Sequence, residues 1–490
     1  MIMKKAVKTL IWLVLLVVAI PVTILLMRAF DTRTMPELKP WHTVKLTSEF
    51  RAKHYSEQMT FDDYRKIEDK LFKELKTKVY DQISQDDKQL LNRYYSGSLS
   101  NPDNFEQNFN RSYELVPENI RGGVLLILGL TDSPYSMKEL AELYHKNGYY
   151  VLSLRMPGHG TIPAGLTRAY WKDWMAAVKI GARHVSGKVG PDLPFYIAGY
   201  SNGGVLVLLY TLESLNNEKL ARPDRLFLFS PAIGVSKLAA MAGWLKTLAF
   251  IPYFEKSRWQ NIKPEYDPFK YNSFPLNAGK QSYDLSQIIQ TRLAEADKKT
   301  IAKLPPITTF QSIVDSTVIA EDVVRKLYGR LDVNQHELIL FDVNRSVYLR
   351  DFLKSQHTRM LSQLADSKKL HYQLTIVTNE NLDSRNVVAR IKEPNSDFAE
   401  PAALNMSWPK RIYSLSHLAI LIRPTDSLYG TTPMANRADD LHLGDIDIRG
   451  ERDILRISAA DLLRLRCNPF FDYVATRIEA SIKQDGNKNN

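Results

Sequence analysis

The stretch Phe195-Tyr-Ile-Ala-Gly-Tyr-Ser-Asn-Gly-Gly204 constrains the fold of this chain more than any other. Phe195 to Ala198 reads as a buried strand, Ser201 as the tip of a tight turn, and Val205 to Glu213 as an apolar helix. Gly199-Tyr200-Ser201-Asn202-Gly203 fits the pattern G-x-S-x-G. In that pattern the serine takes a strained φ/ψ so that its hydroxyl projects above a sheet, and the glycines let strand and helix come close. Gly204 adds to the close packing.

Around this stretch strands and helices alternate, which predicts an α/β fold with a mostly parallel central sheet and helices on both faces. The expected strands are 124–128, 149–154, 195–198, 225–229, 307–313 and 337–341, with helices at 137–147, 168–187, 202–216 and 317–330. Two segments interrupt the alternation. Residues 234–305 are rich in aromatics, among them Trp244, Trp259, Tyr266 and Phe269, and are expected to form a lid. Residues 346–410 form a second insertion, with a helix-like 347–364 and a probable hairpin of 372–377 with 386–391. It could cover the site, bind a partner or decorate the sheet edge. The catalytic domain is expected to span 116–480, followed by a polar tail at 481–490.

The N-terminal part differs in composition. The run from Leu10 to Met27 is apolar apart from Pro21 and Thr23, and as a helix it would span about 27 Å, close to the hydrocarbon thickness of a bilayer. Lys4, Lys5 and Lys8 precede it. Residues 1–28 are therefore expected to be an anchor with a cytoplasmic N-terminus and an extracytoplasmic body, a cleaved signal being the rival. Residues 29–60 read as a polar spacer. From Phe61 to about Tyr95 apolar residues recur every three or four positions, which predicts an amphipathic helix. Its mixed charges favour packing on the catalytic body over lying on a membrane.

Composition bears on partners. A net charge of +11 without a dense basic block argues against nucleic acid and suits an anionic surface. The single cysteine, Cys467, excludes an intramolecular disulfide and a cysteine-based metal site; it is expected in a half-buried helix. No cofactor or metal is expected.

A serine hydroxyl needs a histidine to take its proton and a carboxylate to orient that histidine. In elbow proteins these follow in the order Ser…Asp/Glu…His. After Ser201 come His336, His357, His371, His417 and His442. His336 enters a strand, and His357 and His371 lie in or beside a charged helix. His417 follows the apolar-patterned 411–416 and is expected at a strand end, as the base. Asp315 closes the strand 307–314 at the carboxyl edge of the sheet and is the expected acid, with Asp342 its competitor. The developing oxyanion needs backbone N–H donors, expected from Asn202 and from Leu130 in the loop after the first central strand. Asp132 in that loop is expected to be structural.

Leu128-Gly-Leu-Thr-Asp-Ser-Pro134, Leu154-Arg-Met-Pro-Gly-His-Gly-Thr161, Gly199-Tyr-Ser-Asn-Gly203, Val314-Asp315 and Leu415-Ser-His-Leu418 together resemble the α/β-hydrolases of the monoacylglycerol-lipase-like and serine-aminopeptidase-like branch. The resemblance covers roughly 115–345 and 405–480. It implies cofactor-free cleavage of carboxylic esters, lipid-like esters favoured, with Ser201, Asp315 and His417 as nucleophile, acid and base and Leu130 and Asn202 as oxyanion donors. A peptidase or amidase with the same triad, using an acidic lid residue such as Glu255, Glu265 or Asp267, is the alternative; an inactive binding protein is a third. His159 falls in a loop that shapes the pocket rim in the family. Two departures stand out: Leu128 replaces the usual histidine before the oxyanion glycine, and about a hundred residues separate Asp315 from His417 where relatives have about thirty.

Overall fold

A computed structural model describes residues 33–235, 252–331, 335–346, 356–367, 370–431, 441–444 and 455–486, with scattered positions between 8 and 23. Twelve strands are formed among them: β1 (Tyr113–Leu115), β2 (Gly122–Ile127), β3 (Tyr149–Leu154), β4 (Phe195–Tyr200), β5 (Arg225–Phe229), β6 (Trp259–Asn261), β7 (Phe274–Pro275), β8 (Ile307–Ser312), β9 (Glu337–Phe341), β10 (Gln373–Asn379), β11 (Asn386–Lys392) and β12 (Ala402–Ser407). Ten make one sheet in the order β1-β3-β2-β4-β5-β8-β9-β10-β11-β12, and β6 pairs with β7 separately. The strands from β3 to β10 in that order run parallel, while β1, β11 and β12 are antiparallel to their neighbours. Every residue of β2, β3, β4, β5, β8 and β9 is buried, which is why most of these segments read as apolar runs; β8 is the exception, with Thr308, Thr309, Gln311 and Ser312 buried among its apolar residues.

The principal helices are α1 (Phe61–Lys78), α2 (Lys138–Lys146), α3 (Trp171–Val189), α4 (Asn202–Ser214), α5 (Leu276–Glu295), α6 (Gln356–Asp366) and α7 (Phe471–Gly486). Strand pairing shows how they cover both faces. A Cβ on Gly123 would meet Val185 and Val189 of α3. Its neighbour Val124 is paired with Tyr196, whose hydroxyl reaches Asp485 of α7 at 2.7 Å. Helices α3, α4 and α5 therefore share one face, and α2 and α7 the other.

The expected strands all form within a residue or two at their ends, and the hairpin of the second insertion forms as β10 and β11. It does more than pair with itself: β10 joins β9 in parallel, and β11 and β12 continue the sheet outward. The described part of the insertion thus extends the sheet edge. One further strand, expected before His417, is missing. Residues 411–416 form no strand, because β10 already occupies the place beside β9; Tyr413 and Ile412 instead accept hydrogen bonds from Asn344 above the sheet end. The helix expected over 317–330 forms from Ala320 to Arg330, passing from α (Ala320–Asp322) through π (Val323–Leu327) to 3-10 geometry (Tyr328–Arg330).

The N-terminal region is docked on the catalytic body. Thr60 caps α1, its Oγ1 accepting from Asp63 N at 3.1 Å while Asp63 Oδ2 accepts from Thr60 N at 3.1 Å. Phe61, Tyr64, Leu71, Phe72 and Leu75 are buried, as the helical periodicity predicts for packing on the body, although the helix ends at Lys78 rather than near Tyr95. The stretch expected as a spacer also packs: Trp41 and Phe50 are buried, and Glu49 ion-pairs with Arg155. Among the described residues no helix is long and apolar enough to cross a membrane. Most of the expected span at 10–27 lies outside the described residues; the described Trp12, Leu13, Leu15, Leu16 and Val17 are helical and exposed.

Candidate active site

Ser201 lies between β4 and α4 with φ 54° and ψ −116°, a left-handed conformation that costs an L residue about 1–3 kcal/mol. The surroundings hold it there. Its N–H donates to Phe229 O at 2.8 Å, and its carbonyl accepts from Ala232 N at 3.0 Å and Gly204 N at 3.1 Å. The glycines on either side permit the crossing. A Cβ on Gly203 would lie 2.4 Å from Ile127 O and 2.6 Å from Leu128 O, and one on Gly199 would lie 2.7 Å from Gly203 C. The turn therefore presses α4 against the end of β2, and Asn202 opens the helix with one of its unsatisfied N–H groups.

Asp315 follows β8, and His417 opens a short turn, His417–Ala419. The two meet across a separation of 102 residues: His417 Nδ1 lies 2.6 Å from Asp315 Oδ2. An ionised carboxylate only accepts, so Nδ1 carries the proton and Nε2 is the basic nitrogen. Asp315 Oδ1 accepts from Thr317 N at 2.8 Å and Val318 N at 2.9 Å. Burial pushes this carboxyl up, but His417 and the backbone donors outweigh it and hold Asp315 below its ordinary value. The ring of Tyr200 lies 5.1 Å from that of His417 between centroids, and its hydroxyl donates to His417 O at 3.2 Å. The residue before the serine thus braces the histidine.

The loop after β2 approaches the same place. Thr131 takes φ 70°, and its carbonyl accepts from Tyr271 N at 2.9 Å, tying the loop to the 252–305 segment. Leu130, beside it, is half-buried. Asp132 ion-pairs with Lys270, and a Cβ on Gly129 would lie 2.8 Å from both Asp132 Oδ2 and Tyr200. Asp132 is therefore spent on holding the loop. A small cleft of about 30 Å³ lies against this loop and is lined by Tyr135, Tyr200, Phe269, Leu418 and Arg466 among others.

The other candidates lie elsewhere. Asp342 at the end of β9 is bound by Arg345, with Nε–Oδ2 2.5 Å and Nη2–Oδ1 2.8 Å, and by Thr378. His336 precedes β9, at the opposite end of the strand, and burial pulls it down to about 4. His371 is exposed, and His442 is half-buried. His159 is buried against Trp174, its Nδ1 is 3.2 Å from Pro157 O, and burial pulls it down to about 4. Cys467 is buried in a bend rather than half-buried in a helix, packed with Tyr135, Phe269 and Tyr429.

Sequence reasoning did not single out Tyr200 as a brace or Gln311, whose Nε2 lies 3.2 Å from Asp315 Oδ2. Gln311 lies in a strand that also holds Thr308, Thr309 and Ser312, so no local pattern distinguishes it.

Residues 118–342 match the family described as serine aminopeptidase, S33. The thermostable monoacylglycerol lipase of Bacillus sp. (strain H-257) is 40% identical over 91 residues, which are 19% of this chain and 35% of that protein. The chain thus spans about a third of the length of this curated relative. Among solved structures, one from the work on LipS and LipT, two metagenome-derived lipolytic enzymes, is 21% identical and covers 53% of this chain and 98% of its own, with a TM-score of 0.38. The Paleococcus ferrophilus monoacylglycerol lipase is 19% identical and covers 52% of this chain and 97% of its own, with a TM-score of 0.35. The fold rests on the chain's own topology: a parallel sheet with the strand order given above, a G-x-S-x-G turn after β4, and an Asp and a His delivered by later loops. That topology is the α/β-hydrolase fold, and residues 118–342 resemble the monoacylglycerol-lipase-like and serine-aminopeptidase-like branch.

Proposed function

We propose that the chain is a serine hydrolase that cleaves carboxylic esters, with lipid-like esters favoured. The observation that carries this is the strained Ser201 at the elbow together with the 2.6 Å His417–Asp315 hydrogen bond. In the proposed reaction His417 Nε2 takes the Ser201 proton as Oγ attacks the ester carbonyl. The N–H groups of Asn202 and Leu130 hold the oxyanion, and Asp315 fixes the tautomer and stabilises the imidazolium. His417 then protonates the leaving alcohol and activates water to release the acyl group from Ser201.

The peptidase reading needs a carboxylate free to seize an α-amine. Glu265 accepts from Asn272 N and Ser273 N, and Asp267 from the Tyr429 hydroxyl and Phe269 N, so both are committed within the fold. Of the three lid carboxylates the peptidase reading could use, that leaves the exposed Glu255. The relative named a monoacylglycerol lipase supports an acyl-chain substrate.

Labelling with a fluorophosphonate tests the reading: the wild type labels and Ser201→Ala does not. An unlabelled wild type, folded and with or without detergent, refutes it. An ester chain-length series beside an aminoacyl series then separates esterase from peptidase. The apolar 10–27 stretch and the exposed Trp12, Leu13 and Leu16 support a membrane anchor with the body outside. Full-length protein should sediment with membranes at high salt and a variant lacking 1–32 should not; a soluble full-length protein ends that proposal.

A further inference from the structure

Gln311 lies on β8, fully buried, between the strand core and the loop that delivers Asp315. Its Nε2 makes two contacts, donating to Ser312 O at 3.0 Å and to Asp315 Oδ2 at 3.2 Å. Both partners accept only, so the amide orientation is fixed: turned over, Oε1 would face two oxygens. In the orientation present, Oε1 is buried without a hydrogen-bond partner. An orphaned buried carbonyl is destabilising, and a methionine of similar length would fill the same space without it. Packing therefore does not account for a glutamine here. The donor does.

The second link is the carboxylate. Asp315 Oδ1 receives two backbone N–H groups, and Oδ2 receives His417 Nδ1 and Gln311 Nε2. Each oxygen thus has two donors, which matches the acceptor capacity of a carboxylate. The backbone donors fix Oδ1, and Gln311 is the fixed, uncharged donor on the oxygen that the histidine uses. It favours the ionised form without a competing cation and holds Oδ2 in line with Nδ1.

We propose that Gln311 is a positioning residue that keeps Asp315 ionised and aimed at His417 through its Nε2. The inference rests on Asp315 and His417 serving Ser201 as proposed above. The test measures ester turnover against pH for full-length wild type, Gln311→Met and Gln311→Glu, with thermal melting and fluorophosphonate labelling alongside. Gln311→Met should label at Ser201 but lose about tenfold in kcat with KM unchanged, the value of one hydrogen bond to a charged group. Its acid limb should move to higher pH, because Asp315 with one donor fewer pulls more strongly on the proton of the imidazolium. In Gln311→Glu the new carboxyl donates only while protonated, so activity should fall away towards alkaline pH. A folded Gln311→Met with wild-type kcat and acid limb overturns the proposal. Should that variant not fold, a Gln311→Glu profile parallel to wild type overturns it. A wild type that neither labels nor turns over refutes the triad itself, a distinct result.

Discussion

Two buried clusters in this molecule pair carboxylates with a nitrogen group, and they do opposite things. At Arg155 the guanidinium is fully buried: Nε donates to Glu68 at 3.1 Å, Nη2 to Glu49 at 2.9 Å, and Nη1 to Glu49, Met156 O and His159 O. Glu49 also accepts from Gly158 N, and Glu68 from Ser112 N. The cluster ties the N-terminal region and β3 together, and its cation cannot give up a proton. At Asp315 the carboxylate is equally well satisfied, but its partner is an imidazole with a second nitrogen. Saturation of the carboxylate is common to both. What separates a clamp from a candidate catalytic pair is a partner that can change protonation state beside a strained serine.

The largest expected effect breaks the comparison on the catalytic side. Asp315→Asn should lower kcat by about 10⁴-fold, because the amide no longer selects the tautomer; a fall below tenfold in a folded protein would count against the pair. Breaking the clamp should act on stability instead. Arg155→Ala strands two buried carboxylates and should cost about 3–5 kcal/mol in urea unfolding, with the remaining folded protein still labelled at Ser201.

The two carboxylate settings also sharpen the contrast through pH. The folded Asp315 carboxyl lies below its ordinary 3.8, so it contributes stability above that pH and loses it as pH falls through the folded value. Asp315→Asn should therefore soften the acid side of a melting-temperature profile. Glu139 behaves in reverse. Burial, with Asp426 nearby, pushes it up to about 7 even though Arg423 Nε lies 2.9 Å away. The folded state then holds an extra proton between about pH 4.5 and 7, and stability falls as pH rises through that window. Glu139→Gln should flatten this slope, the smallest of these changes; an unaltered profile would place Glu139 among ordinary ion pairs.

The sequence was most legible where one constraint acted alone. Fully buried parallel strands are mostly apolar, so β2 to β5 and β9 could be read directly, while β8 carries Thr308, Thr309, Gln311 and Ser312 inside the fold. The elbow glycines are required by approaches of 2.4–2.7 Å that no Cβ tolerates. Asp315 and His417 were legible from chain order and strand-end placement. His417's local structure was misjudged because 411–416, where only Leu415 is buried and Arg411 and Tyr413 are exposed, joins no ladder. The strand at 373–379 took the sheet position beside β9, and no local pattern records such a competition.

By itself, then, the sequence determined the α/β alternation, the G-x-S-x-G turn and the residue types available for a triad, because these follow from periodicity and from chemistry at fixed positions. Only the tertiary structure decided that Asp315 and His417 meet, that Tyr200 and Gln311 brace them, and that the polar-looking stretch around Glu49 is docked. Each depends on groups from distant parts of the chain satisfying one another's hydrogen bonds once buried, and sequence spacing carries no record of that.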